Sequence, residues 1–309
     1  MMSDEPAPIL VTGGHRTGTT WIGRLLAADP HVAYISEPLN VLHRPGVLRS
    51  KVGHWYAYVC AENEASYYSA FLELLRYRYH LWDEMAALKS AHDVLRMARD
   101  LRTFSLGRLL QQRPLLKDPF AVFSLVWFAE RLNCRIVVAV RHPAAFVSSL
   151  KRLGWSFDFA DLLHQPLLMR DHLEPYRAAM ESCSRDDVIG QASLLWVIIY
   201  RTVDTIRQRL PDAQIVRHED LSREPVEHFR RLYQALGLHF SPRVERQILE
   251  SSSSENPDQL SPSRTHSVHL DSRANLGSWK RRLSADEIDR VHEIAGEAAS
   301  LYYGEDEWN

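Results

Sequence analysis

Eight residues near the N-terminus constrain this chain more than any others: Gly13-Gly14-His15-Arg16-Thr17-Gly18-Thr19-Thr20, with glycines five positions apart. An apolar run, Pro8 to Thr12, leads into them. Beyond them the apolar positions become Trp21, Ile22, Leu25 and Leu26. Period two gives way to period 3.6, so the order is strand, turn, helix, which is the context a phosphate-binding loop requires. Glycines let the backbone curl around an anion, its N–H groups converge, and the helix start adds the positive end of its dipole. An oxyanion belongs here.

The loop departs from that of a nucleotide triphosphatase. Lys usually follows the second glycine, but Thr19 stands there and the cation is Arg16, inside the loop. Magnesium would need an acid at a strand end, whereas the run Arg135 to Val140 ends in Arg141. A second cation there repels magnesium and attracts another phosphate. The expected ligand is therefore an anionic nucleotide with two separate phosphate sites and no obligatory metal. His218-Glu219-Asp220 is the one stretch that could imitate a magnesium site and keep a P-loop kinase in play. A module that binds nucleotide without catalysis is the alternative outside enzymes. His15 is assigned no role.

The strand-to-helix change recurs at Arg135 to Val140, and shorter apolar runs at Leu115-Leu116 and Gln214 to Val216 also sit between helical patterns. Such alternation predicts a parallel sheet covered by helices. Residues 41–112 lack strand patterning and read as helical insertions over the sheet. A Ser/Pro/Asn/Asp-rich stretch from Ser251 predicts a mobile loop over about 251–272, and Ser284 with Glu287 spells a capping box that opens a last helix. The 309 residues, 45% hydrophobic, suit one domain with insertions.

A net charge of -2 gives no global attraction to nucleic acid. The three cysteines, Cys60, Cys134 and Cys183, are too far apart for a zinc or dithiol motif and read as reduced, mostly buried thiols. Neither a signal peptide nor a run of about 18 apolar residues is visible, which predicts a soluble, cytoplasmic protein without a membrane span. Oligomeric state is not legible.

Three ordered motifs carry a resemblance to the sulfotransferases that use 3′-phosphoadenylyl sulfate (PAPS). Arg16-Thr17-Gly18-Thr19-Thr20-Trp21 resembles the family's 5′-phosphosulfate loop. Arg141, after a strand, and Ser149, eight residues on, have the spacing of its 3′-phosphate ligands. Gly277-Ser278-Trp279-Lys280 matches its C-terminal motif, with Arg273 where a basic residue clasps the 3′-phosphate, although Ser272 and Ala274 depart from the pattern. The resemblance implies a three-layer α/β P-loop fold with a central parallel sheet flanked by helices. It also implies PAPS as co-substrate, no metal, and an acceptor hydroxyl or amine.

Family members that act on small molecules place a catalytic histidine in a Lys-x-His-x-Pro stretch, but this chain reads Lys117-Asp118-Pro119-Phe120. In that respect it is similar to the protein-tyrosine, bacterial and glycan sulfotransferases, and Glu37 stands where the tyrosine enzymes carry their base. The resemblance thus implies Glu37 as general base, Arg16 and Lys117 as charge stabilisers, and Asp118 as orienting partner or second-choice base. A surface charge before Pro38 is the plain alternative for Glu37, and an exposed strand-end lysine for Lys117. The acceptor, whether small molecule, carbohydrate or lipid, is left open; the aromatics from Trp55 to Trp82 permit a sugar or phenol without choosing one.

Overall fold

The computed structural model describes residues 6–42, 44–252 and 276–308. The apolar runs form five strands: β1 (Ile9–Gly13), β2 (Val32–Ser36), β3 (Arg113–Lys117), β4 (Arg135–Val140) and β5 (Gln214–Arg217). All pair in parallel in the order β2-β3-β1-β4-β5. Parallel neighbours need crossovers, so the connecting helices coat both faces of the sheet.

The side-chain alternation of β1 divides the core. Leu10, Leu116, Ile136 and Val138 pack with Phe146, Trp196 and Tyr200 in one layer. Ile9, Val11, Leu115 and Val137 pack with Trp21, Phe229 and Tyr233 in the other. The result is the expected α/β architecture of three layers. Leaving β1 the chain crosses to the β2 edge, and leaving β4 it crosses to β5, so the crossovers diverge between β1 and β4. Open parallel sheets bind ligands beyond the carboxyl ends of strands at such a point.

Residues 41–112 differ in part from the all-helical expectation. Helices Tyr68–Leu75, Leu81–Ala86 and Ala91–Leu109 form, the last capped by Ser90, which accepts from the Asp93 N–H. Among the described residues of 41–63 there is no helix. That segment is held instead by side-chain bonds to its backbone: Tyr58 N–H to Gln165 Oε1 at 2.8 Å and Val59 N–H to Ser124 Oγ at 2.9 Å.

Ser251, expected in a loop, ends helix Pro242–Ser252 and is buried. The rest of that stretch, 253–272, and Arg273 lie outside the described residues. The capping box at Ser284 forms in full and opens helix Ala285–Ala299. All three cysteines are free thiols, but only Cys134 is buried. Among the described residues no helix is long and apolar enough to cross a membrane.

Candidate active site

Between β1 and helix α1 (Thr19–Leu26) the loop is pinned from outside. Gly13 has φ 139°, and a Cβ there would lie 2.3 Å from the carbonyl oxygen of Ala139 on β4. No other residue fits so close an approach. Tyr200, from helix Val188–Arg207, donates its hydroxyl to that same oxygen at 2.8 Å and accepts the Gly14 N–H at 3.3 Å. Thr17 is buried, its hydroxyl donating to Gly14 O at 2.6 Å, a bond that shapes the loop. Gly18, at φ 92°, caps α1.

Arg16 adopts φ 68°, a left-handed conformation uncommon outside glycine. Its Nε donates to Ser149 Oγ at 3.2 Å, while Arg141 Nη1 donates to the Arg16 carbonyl at 3.0 Å. The α1 loop and the helix after β4 thus share one cationic cluster, which brings together the residues expected at the two phosphates. Burial, with Arg141 and Arg152 nearby, brings the Arg16 guanidinium down to about 10. Arg141 is also lowered, first by burial. Cations so crowded favour an anion among them. Arg141 Nε is buried with no hydrogen-bond partner among the described residues, a donor that an oxyanion would satisfy.

Glu219 of the His218-Glu219-Asp220 stretch lies beside Arg141. Glu219 accepts the His142 N–H at 3.0 Å and the Tyr303 hydroxyl at 2.9 Å, so both of its oxygens have partners within the protein. Trp279 is buried and stacks on His142, with centroids 5.2 Å apart and planes at 12°. It therefore backs the Arg141 turn from behind. Lys280 is exposed beside it, 5.4 Å over the Trp279 ring. Trp21 is buried, donating from Nε1 to Ser251 Oγ at 3.2 Å. Thr19 is buried and Thr20 half-buried at the start of α1.

His218 stands at the carboxyl end of β5, and its Nδ1 lies 2.6 Å from where a Cβ on Gly18 would be. That nitrogen is buried without a partner among the described residues. Burial, then Arg141, lower the imidazole to about 3, so it is neutral. Its position after a strand was the one signal that could have marked it as part of the site.

The β2–β3 side is arranged differently. Glu37 follows β2 with φ 51°, and its N–H donates to Lys117 O at 2.7 Å, lengthening the ladder. Its carboxylate accepts from Asn40 Nδ2 at 2.8 Å and is ion-paired with Lys117 Nζ. Lys117 is only 2% exposed, so it is not the surface lysine that a strand end would suggest. Asp118, 1% exposed, accepts the Leu39 N–H at 2.6 Å and the Phe120 N–H at 3.0 Å. Burial pushes it up to about 7 against those two donors. With one backbone donor on each oxygen, Asp118 fastens the segment after β2 to the turn after β3.

His15 lies between the two sides. Tyr56 Oη accepts the His15 N–H at 3.2 Å and lies 2.6 Å from Nδ1, within hydrogen-bond distance of the ring. Burial, then Arg16, lower the ring to about 4. Phe120, Phe146 and Trp155 surround it, and Trp55 meets Phe120 with centroids 4.5 Å apart. Neither this aromatic wall nor Tyr200 was visible in any local motif.

The model of the sulfotransferase family matches residues 8–242, a span that contains the loop, Glu37, Lys117, Arg141 and His218. Carbohydrate sulfotransferase 4 of Mus musculus is 21% identical, the match covering 97% of this chain and 82% of the relative. Carbohydrate sulfotransferase 6 of Homo sapiens is 29% identical over 68% of this chain, and the match spans 49% of that protein's length. Carbohydrate sulfotransferase 5 of Homo sapiens is 28% identical over 66% of this chain and 44% of its own. The chain thus spans under half the length of both human relatives. Among solved structures, the sulfotransferase domain from the curacin biosynthetic pathway aligns over 98% of this chain and 99% of its own, with 17% identity and TM-score 0.45. A sulfotransferase from Mycobacterium avium aligns over 97% and 78%, with 14% identity and TM-score 0.47. With its family model covering most of the sheet and the loop that opens it, this chain belongs to the sulfotransferase family of enzymes.

Proposed function

We propose that this protein transfers the sulfuryl group of PAPS to a hydroxyl of a carbohydrate acceptor. The observation that carries the reading is the cationic cluster of Arg16, Arg141 and Ser149 beside the loop, with the buried Arg141 Nε still lacking a partner among the described residues. The donor supplies the sulfuryl group and departs as adenosine 3′,5′-bisphosphate. Loop N–H groups and Arg16 hold the sulfonate oxygens, Arg141 and Ser149 the 3′-phosphate, and His218 Nδ1 lies near the nucleotide side of α1. Charge stabilisation of this preorganised kind is where most of the rate enhancement of group transfer resides.

On the opposite side Glu37 takes the proton of the acceptor hydroxyl, and Lys117 orients the carboxylate through their ion pair. Asp118 is assigned a positioning role, because both its oxygens already accept backbone N–H groups. A carbohydrate acceptor is favoured by the aromatic wall of Trp55, Phe120 and Trp155, whose faces suit sugar C–H groups. It is favoured too by the acceptor class in the names of the relatives.

The test is transfer of labelled sulfate from PAPS to a panel of sugars, phenols and amines, with calorimetry of adenosine 3′,5′-bisphosphate against AMP. Transfer to sugars is expected, together with at least tenfold tighter binding of the bisphosphate. Equal affinity for AMP would overturn the donor assignment. Transfer to phenols or amines with none to sugars would overturn the acceptor.

A further inference from the structure

Along the sheet edge, β2 and helix Ala91–Leu109 bound an open hollow of about 450 Å³, and a second of about 420 Å³ continues it toward helix Pro242–Ser252. The two share Arg24, Val32, Tyr34 and Gln112, so they form one channel. Ser36, the residue before Glu37, lines the first hollow, and Arg243 the second. The channel follows β2 for about 15 Å, at the usual rise per strand residue. It therefore outruns a single sugar ring.

Its charge is one-sided. Arg24, Arg99, Arg102 and Arg243 line it, all exposed. The acids beside them are committed elsewhere: Asp100 is ion-paired with Arg44, and Asp29 accepts the N–H groups of His31 at 2.9 Å and His239 at 3.0 Å. Arg99 reaches Asp100 at 3.6 Å, but Arg24, Arg102 and Arg243 make no ion pair among the described residues. Three such guanidinium groups along one channel, in a chain of net charge -2, form a local positive field.

We propose that this channel binds an anionic polysaccharide, a chain bearing carboxylate or sulfate groups. Guanidinium forks match the paired oxygens of those groups. Tyr34 is the one aromatic side chain lining the channel, too few for the successive base stacking that holds a single-stranded nucleic acid. Because the channel ends beside Glu37, the bound chain is the extension of the acceptor. That last step rests on the carbohydrate reading proposed above, whereas the binding itself does not.

The experiment measures fluorescence anisotropy of a labelled heparin hexasaccharide on the full chain and on the triple variant Arg24→Ala, Arg102→Ala, Arg243→Ala. Binding of adenosine 3′,5′-bisphosphate serves as the control for folding. Wild type is expected to bind the hexasaccharide in a salt-sensitive way, without competition from neutral maltohexaose. The triple variant is expected to bind it about tenfold or more weakly, the loss for three exposed ion pairs, with unchanged nucleotide affinity. The charge reversals Arg102→Glu and Arg243→Glu should weaken it further. Equal hexasaccharide affinity in the variants, or tighter binding of an oligouridylate of equal charge, would overturn the proposal. Loss of hexasaccharide binding in the variants, in a protein that sulfates no carbohydrate, would uphold the channel and sink only the acceptor reading.

Discussion

The two sides of the mouth handle charge in opposite ways. Between β1 and β4, cations crowd together and buried nitrogens of Arg141, His142 and His218 have no hydrogen-bond partner among the described residues. Between β3 and β2, the charges satisfy one another: Glu37 holds Lys117 and Asn40, and Asp118 holds two backbone N–H groups. The first arrangement is incomplete without an anion, because buried donors left unmet cost free energy. The second is complete at rest, so under the proposed mechanism an acceptor hydroxyl competes for Glu37 with groups already bound to it.

The largest effect that could break this comparison is catalytic. Glu37→Gln is expected to lower kcat by about 10²–10⁴-fold, the usual worth of a general base, with nucleotide affinity unchanged. Asp118→Asn is expected to retain catalysis in the folded fraction and to lower the urea midpoint, because one oxygen becomes a donor facing a backbone N–H. Steady-state kinetics beside a denaturation curve separates the two. A stable Asp118→Asn protein without activity, next to an active Glu37→Gln, would move the base to Asp118.

A smaller effect tests the incomplete side. Arg141→Ala should weaken adenosine 3′,5′-bisphosphate by about 1.5–3 kcal/mol, a hydrogen bond to a charged group, and should leave AMP nearly unaffected. Equal losses for both nucleotides, measured by calorimetry, would mean that Arg141 does not distinguish the 3′-phosphate.

The smallest effect sharpens the contrast through pH. His15 is lowered to about 4, and His142 and His218 to about 3, in each case chiefly by burial. Their stability contribution is present above the unfolded value near 6.5 and is lost as pH falls toward 4. Asp118, raised to about 7 by burial, has the opposite sign: its contribution is present at low pH and is lost as pH rises through 7. His172 is lowered and Glu219 raised in the same way, so four histidines against two carboxyls leave a net loss on acidification from pH 6.5 to 5. After allowance for partial exposure of His15 and His218, it is on the order of 1 kcal/mol per pH unit. Urea midpoints at pH 7.5, 6 and 5 check the slope, which should steepen in Asp118→Asn. A midpoint that rises on acidification would reverse the sign assigned here.

Sequence revealed what depends on neighbours along the chain. The strand, turn and helix around Arg16 and the Ser284 capping box are local patterns, and each forms as read. Tyr200 reaches Gly14 from 186 residues away, and Tyr56 reaches His15 from 41, so no window of periodicity could join them. The missing helix in residues 41–63 has the same origin, since Gln165 and Ser124 supply the bonds that replace helical ones. The plain alternative for Lys117, an exposed strand-end lysine, fails for a simpler reason: Glu37, brought alongside by β2–β3 pairing, makes its burial tolerable.

The close approach of Gly13 to β4 also fixes how the loop can be spelled. With φ 139° and a backbone oxygen 2.3 Å from any added Cβ, that position admits a single letter. Gly18 is nearly as closed, at φ 92° with His218 against it. Gly14 lacks a positive φ and a Cβ there would meet the Phe146 ring and the Thr17 methyl at 3.3 Å and the Tyr200 hydroxyl at 3.5 Å, so alanine enters after small shifts of the first two side chains. The informative content of the loop is therefore concentrated in its first and sixth residues. A library randomised across it and selected for folding alone would return glycine at both and a looser alphabet between them.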